Sequence, residues 1–470
     1  MDSSEKKVVI VGGGLVGALN ACYFAKRGYQ VELHEMRDDI RLQEVVKGRS
    51  INLALSRRGR DALKEVGLEE YVTENGTPMY ARMIHDLDGT RRPIPYGTKD
   101  QYIMSIDRRR LNELLLDAAE KYPRVKTFFN HKFITCNLET GSCTFQSENG
   151  MIEVTSDLIV GCDGAYSGVR RHIMKNTLFD YNQEYIPHGY MELCIPAKDG
   201  QFAMETNYLH IWARNTFMLI ALPNAQDKSF VLTLFMPFDM FHKIKTEHDL
   251  FAFFNQYFPD SIPLIGRKEL VEVFFSSKAL PLVSIKCAPY HVKNRAVIMG
   301  DAAHAMVPFY GQGMNCGFED CIVFHEILDK NLGNFETGLE EYTRVRSVDA
   351  KAIVDLAMYN YIEMRESVNS RMFLIRKKLD NFLHYLFPNL WIPLYTTVSF
   401  TRIRYHECIN NRKWQDKILS RTLTFTGVAA IVGLSTALWQ LKTNSMLSMD
   451  AMLETLRKMP AGYLLDKIKI

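Results

Sequence analysis

The chain has 470 residues, 47 % of them apolar and 24 % charged, and a formal net charge of +3. That length buries a large core and divides into more than one domain, and that composition excludes a disordered chain. The small charge, with no basic stripe interleaved with aromatics, excludes nucleic acid as a partner. In chain order, Lys7–Val11 reads as a buried strand and Leu15–Lys26 as a helix packed through small residues. Gly28 ends the helix and Gln30–Glu35 alternates as a second strand, completing a βαβ unit. This first apolar run leads into a glycine-rich turn, so it is a strand and not a cleavable signal. Helices are predicted at Ser56–Val66 and Asp107–Lys121, and strands at Val125–Phe129 and Asp157–Gly161. From about Tyr181 to Val283, short alternating segments (Tyr190–Ile195, Leu209–Trp212, Phe217–Ala221, Phe230–Phe235) predict an antiparallel sheet. Val297–Gly300 is again a short buried strand, Met314–Asp329 a helix, and beyond Glu340 the chain is mainly helical.

Leu423 to Leu441 is a run of 19 residues without a charge, long enough to cross a bilayer core. Arg412, Lys413, Lys417 and Arg421 precede it and Lys442 follows. That basic weight upstream puts the rest of the chain on the cytosolic side of a membrane. The run is only moderately apolar, so a buried or surface-lying helix is the alternative. Beyond it, the spacing of Met446, Leu447, Met449, Met452, Leu453 and Leu456, within Met446–Met459, predicts a helix lying on the membrane or on the protein. Nine cysteines without a Cys-x-x-Cys pair predict reduced thiols, a reducing compartment and no metal site.

Three motifs carry the chemistry. Gly12-x-Gly14-x-x-Gly17 joins a strand to a helix: Gly12 permits the tight turn, Gly14 lets backbone approach a diphosphate, and Gly17 allows close helix–strand packing. The helix N-terminus then faces the phosphates. Glu35 closes the second strand, where a carboxylate accepts from a ribose 2′-hydroxyl, which suits FAD or NAD rather than NADP; Arg37 softens that exclusion. Asp163-Gly164 follows a strand and reads as a turn stiffened by the Asp side chain; seen alone it is better read as a strand-end turn with no ligand, the alternative being a phosphate site met by Arg170. Gly300-Asp301 runs on through His304 and Pro308 to Gly311-Gln312-Gly313-Met314-Asn315. His304 reads as structural rather than as a base, since no geometric partner is visible for it. There is no second GxGxxG, so a separate nicotinamide domain is not expected.

Together and in this order, the three motifs resemble the aromatic-ring flavoprotein hydroxylases. The resemblance implies an α/β fold, with a Rossmann-type FAD-binding domain, an antiparallel-sheet substrate domain and a helical C-terminal region ending in a membrane-anchor helix. The implied boundaries are 1–180 (FAD-binding, with a substrate-contacting insert at about 75–105), 181–285 (sheet), 286–335 (FAD-binding), 336–420 (helical cover) and 421–470 (anchor and tail). It carries FAD contacts to Gly12, Gly14, Val16, Gly17, His34, Glu35, Met36, Arg37, Ala54, Arg108, Phe133, Asp163, Gly164, Asp301, Gly313, Met314 and Asn315. Asp301 is implied to accept from the ribityl hydroxyls, and the backbone amides of Met314 and Asn315 to meet the pyrimidine edge of the flavin.

Lys47–Ser56, Ile94–Thr98, Tyr185–Glu192 and Met358–Arg365 are more specific, and resemble the kynurenine-hydroxylating branch of that family. The branch implies L-kynurenine, NADPH and O₂ as substrates, a C4a-hydroperoxyflavin, formation of 3-hydroxy-L-kynurenine in tryptophan degradation, and tail anchoring in the mitochondrial outer membrane with the catalytic part facing the cytosol. Arg82 matches its carboxylate clamp, Tyr96 the hydroxyl partner, and Asn360 and Tyr395 the remaining amino-acid contacts; Glu363 helps hold the pocket. No side chain is implied as catalytic base. Positioning falls to Arg82, Tyr96, Pro308, Phe309 and Gln312, with the aromatic strands near Leu209–Phe217 as pocket wall. The alternatives are a nicotinamide dehydrogenase, a flavin-folded scaffold, and a relative acting on another aromatic or an isoprenoid.

Overall fold

The computed structural model describes residues 6–44, 52–97, 100–365 and 370–458; Lys47–Ile51 and Thr98 of the specific motifs, and Met459, lie outside them. The chain divides into a body, Met1–Ile409, and a C-terminal unit, Asn410–Ile470.

Within the body, Lys7–Val11 is the centre of a six-stranded sheet. Gln30–His34 and Leu158–Gly161 flank it in parallel register, followed by Val125–Phe128 and Ala296–Ile298. Helices Leu15–Lys26 and Gly313–Lys330 contribute to the same core. A parallel strand covered on both faces must be apolar throughout, and Val8 to Val11 are all buried.

A second sheet has seven strands. Its spine is Asp180–Ile195, one 16-residue strand where the sequence shows only a short one at its end. The sheet is mixed rather than antiparallel: Tyr208–Arg214 runs parallel to Ala81–His85, whose hairpin partner Arg91–Pro95 forms the edge. Alternation along these strands feeds two cores. Ile211, Ala213, Met218 and Phe235 face one side; Trp212, Phe217, Leu219 and Leu234 face the other. The second side is covered by four helices between Phe238 and Ser276 that the strand-like reading of this region misses. Their phenylalanines favour strands locally, and tertiary burial overrides that preference. One local signal does mark them: Thr246 and Asp249 form a capping box at the start of Glu247–Tyr257.

Helices Phe335–Arg365, Arg371–Leu386 and Leu394–Phe400 complete the body. The final helix, Tyr405–Arg457, is the one among the described helices long and apolar enough to cross a membrane. Its uncharged run is exposed throughout, including Leu423, Ile431, Leu438 and Trp439. All nine cysteines are free thiols, six of them buried.

Candidate active site

The three motifs meet. The Gly12 amide donates to the His34 carbonyl at 2.8 Å, and Gly12 has φ +103°. A Cβ there would stand 2.5 Å from the Cys162 carbonyl oxygen, and one on Gly17 would stand 1.9 Å from that of Gly12. Val16 reaches the third motif, since a Cβ on Gly300 would lie 3.0 Å from its Cγ2. The amide of Met299 donates to the Gly161 carbonyl at 3.0 Å, tying the third motif to the second. Replacing Gly17 with Ala forces backbone apart at this junction. Overpacking of this kind costs about 1–3 kcal/mol of stability, and the variant is expected to hold less FAD than the wild type; its denaturant midpoint and the flavin content of the purified protein check it.

These residues fit FAD. Space around Gly14 is open, with nothing within 4 Å of a Cβ built there. No side chain caps the Leu15–Lys26 helix, so its first-turn amides are available to a diphosphate. Asp301 is exposed at the start of a short helix, and its carboxylate makes no hydrogen bond among the described residues. Met36, Arg37 and Arg108 are exposed as well. The Gly313–Lys330 helix, which begins at Gly313 and Met314, also has no side-chain cap.

Other residues carried over by resemblance act mainly on the protein. Glu35 accepts from the Gly13 amide at 2.8 Å and the Arg37 amide at 3.0 Å, so its carboxylate holds the glycine turn in place and retains lone pairs for a ribose. His34 is buried between Phe128 and Phe145, and burial pulls its pKa down. Phe133 packs edge-on against Phe145 and His172, beside Gly168. Asp163 accepts from the Ser167 hydroxyl at 2.5 Å and the Gly168 amide at 2.6 Å, which holds the turn at Gly164 (φ +78°). Asn315 accepts from the Ser56 amide at 2.8 Å and donates to the Ala54 and Gly311 carbonyls, clamping the loop around Ala54. Gln312 accepts from Tyr405. Arg170 is not available to phosphate: it is buried and donates to the Ala302 and Ala165 carbonyls at 2.7 and 2.6 Å.

A second cluster lies between the seven-stranded sheet and the C-terminal helices of the body. Arg82 donates to Glu363 at 2.9 Å and to the Asn360 side-chain oxygen at 3.4 Å, and lies 4.7 Å over the Tyr395 ring. Tyr96 and Tyr310 stack on Tyr395 at 5.2 and 5.5 Å. Asn360 donates to the Phe309 carbonyl at 2.8 Å, and Phe309 stacks on Tyr361 at 3.7 Å. The four residues named for substrate thus come together from positions 82, 96, 360 and 395. Two of their buried polar atoms, Arg82 Nε and the Tyr96 hydroxyl, have no hydrogen-bond partner of good geometry among the described residues. Burial pushes the Tyr96 phenol well above its ordinary pKa, so it stays a donor. The wall beside them is aliphatic: Leu209, Ile211 and Ala213 pack on this side, whereas Trp212 and Phe217 face the other core. Tyr310, Tyr361 and Lys377 were not visible as site residues. Burial pulls Lys377 down to about 8; Arg82 adds to the shift and Glu363 opposes it.

Behind the third motif runs a buried ionic chain. Arg58 pairs with Glu319 at 2.6 Å, Glu319 with Arg346 at 2.9 Å, Arg346 with Asp320 at 2.6 Å, and Asp320 with His304 at 2.6 Å. Asp320 also accepts from the Gly300 amide at 2.8 Å. The partner that holds His304 is thus Asp320, a residue on the next helix. Burial alone would lower its pKa, but Asp320 holds it well above the usual histidine range. Cys316 lies near His304, but the Arg346 guanidinium is 3.2 Å from its sulfur, and Asp320 is already neutralised.

Residues 5–357 match the family model described as FAD binding domain. The chain is 54 % identical to a kynurenine 3-monooxygenase of Sus scrofa, covering 93 % of each chain. Against the Anopheles gambiae kynurenine 3-monooxygenase the identity is 55 %, over 92 % of this chain and 90 % of that one. Among solved structures, 2-methyl-3-hydroxypyridine-5-carboxylic acid oxygenase superposes with a TM-score of 0.64 at 18 % identity, covering 78 % of this chain and 95 % of that one. PqsL of P. aeruginosa superposes with a TM-score of 0.63 at 20 % identity, covering 77 % and 97 %. The shared fold and the near full-length identity lead to one assignment: the chain belongs to the FAD binding domain family and, within it, to the kynurenine 3-monooxygenases.

Proposed function

We propose that the chain hydroxylates L-kynurenine to 3-hydroxy-L-kynurenine, using FAD, NADPH and O₂. The observation that carries the assignment of the pocket is the pair of buried, unsatisfied donors, Arg82 Nε and the Tyr96 hydroxyl, beside Glu363. A zwitterionic amino acid completes that set: its carboxylate takes the two donors and its ammonium meets the Glu363 carboxylate. Bound FAD supplies reduction by NADPH and activation of O₂. The protein's own residues bind, orient and exclude water. Arg82, Tyr96, Asn360 and Tyr395 hold the amino-acid end, which sets the distance of the ring from the flavin. Phe309, fixed by Tyr361 and Phe235, makes the dry wall. The aminophenyl ring is already electron-rich, so no side chain need act as base. On the flavin side, Asp301 accepts from ribityl hydroxyls and the amides at Met314 and Asn315 meet the pyrimidine edge.

The test is anaerobic reduction of the bound flavin by NADPH with and without L-kynurenine, followed by aeration. Kynurenine-dependent turnover to 3-hydroxykynurenine is expected. A colourless protein, or NADPH oxidation that ignores kynurenine, overturns the reading. We further read Leu423–Leu441 as the anchor that holds the enzyme to the mitochondrial outer membrane, with the body cytosolic; its exposed, uncharged surface and the cations upstream support this.

A further inference from the structure

We infer that the helix Arg371–Leu386 is a second membrane contact, lying in the headgroup region of an anionic bilayer. Met372, Ile375, Leu379, Phe382 and Leu386 recur at steps of three and four, which puts them on one face of the helix. That face is open: Met372 is 73 % exposed, Ile375 60 % and Phe382 56 %. Leu390, 61 % exposed, continues it beyond the helix end. The opposite face is anchored in the body through Phe373 and Leu374. A helix of a soluble surface would carry charges where these residues stand.

Charge decides the occupant. Arg371 and Lys378 are the exposed cations of this segment; Lys377 lies beside Arg82 and Glu363, and Arg376 is taken by Asp380. Its one acid, Asp380, is buried and bonded to Arg376 and Trp391. A second copy of the chain docked on this face would set cation against cation. Anionic lipid neutralises the cations while its acyl region takes the apolar stripe. The inference rests on the reading of Leu423–Leu441 as an anchor, because a tethered body meets the bilayer at high effective concentration.

The test places a photoreactive side chain in the full-length protein: Phe382→p-benzoylphenylalanine, Leu434→p-benzoylphenylalanine and, as an exposed control, Leu178→p-benzoylphenylalanine. Each is reconstituted in phosphatidylcholine vesicles with and without phosphatidylserine. Lipid adducts are expected at Phe382 and Leu434 and not at Leu178. Omitting phosphatidylserine is expected to reduce the Phe382 adduct and leave that at Leu434 unchanged. Adducts at Leu434 without any at Phe382 overturn the inference and leave the anchor standing. No lipid adduct at Leu434 overturns the anchor reading itself. A Phe382 adduct to another copy of the chain makes the face a self-contact and overturns the lipid assignment.

Discussion

Arg82→Met is expected to weaken L-kynurenine binding by about 30- to 700-fold, the equivalent of roughly 2–4 kcal/mol. Flavin binding should be retained, because the residues Arg82 holds, Glu363, Asn360 and Tyr395, are not among the proposed flavin contacts. The guanidinium is 2 % exposed and holds Glu363, Asn360 and the face of Tyr395 at once. Its charge has left water, so the proposed pairing with a substrate carboxylate is not screened away as a surface pair would be. Perturbation of the flavin spectrum by kynurenine gives the dissociation constant directly, separate from KM. Arg82→Lys keeps the charge and loses the fork, and should fall between the wild type and Met. Removing Arg82 also leaves Glu363 without its partner, so Glu363→Gln in the same background separates an orphaned carboxylate from a lost clamp. Unchanged affinity in Arg82→Met would place the carboxylate site elsewhere.

Asp320→Asn is the second large effect. The carboxylate is fully buried and takes Arg346 at 2.6 Å, His304 at 2.6 Å and the Gly300 amide at 2.8 Å. Breaking a buried ionic network by removing one member costs about 3–5 kcal/mol, since the remaining charges stay buried without compensation. Denaturant unfolding followed by flavin fluorescence measures it. The loss should reach the flavin, because Gly300 adjoins Asp301 and Val16.

The pH dependence separates this network from a simple packing loss. In the wild type the folded His304 pKa lies well above 6.5, owing to Asp320 against the pull of burial. The unfolded chain therefore sheds its proton first, and His304's share of the stability, full below pH 6.5, declines as pH rises through the folded pKa. Asp320, held below its ordinary value by His304 and Arg346 against burial, contributes stability that is present above about pH 3.8 and lost as pH falls through its folded pKa. In Asp320→Asn the buried imidazole has no anion, so its folded pKa falls. The alkaline decline should disappear, and a loss on acidification below pH 6.5 should take its place. A variant with the wild-type alkaline slope would mean that His304 is not held by Asp320.

Much of the cofactor half was legible in the chain. Strand, glycine turn, helix and closing acid occupy 29 consecutive positions from Lys7 to Glu35, and local sterics alone dictate the glycines: Gly12 needs its positive φ and Gly17 has no room for a Cβ. Glu35 was legible as an acid in the right place, but not as the acceptor of the Gly13 amide. Arg170 looked like a phosphate ligand because a cation follows a turn; only folding showed it buried, with its two terminal nitrogens donating to carbonyls at 165 and 302. The phenylalanine-rich helices between Phe238 and Ser276 were hidden because residue preference and final state disagree there.

The linear chain by itself determined the nucleotide-binding unit, the order of three backbone turns and an uncharged run of bilayer length, all of which depend on neighbours a few positions apart. Only the tertiary structure decided which side chains share a pocket. Arg82 sits on a strand, Tyr96 just past the end of its hairpin partner, and Asn360 and Tyr395 on two helices far along the chain. The energy of a buried charge depends on what surrounds it in space, and such partners lie up to hundreds of residues away.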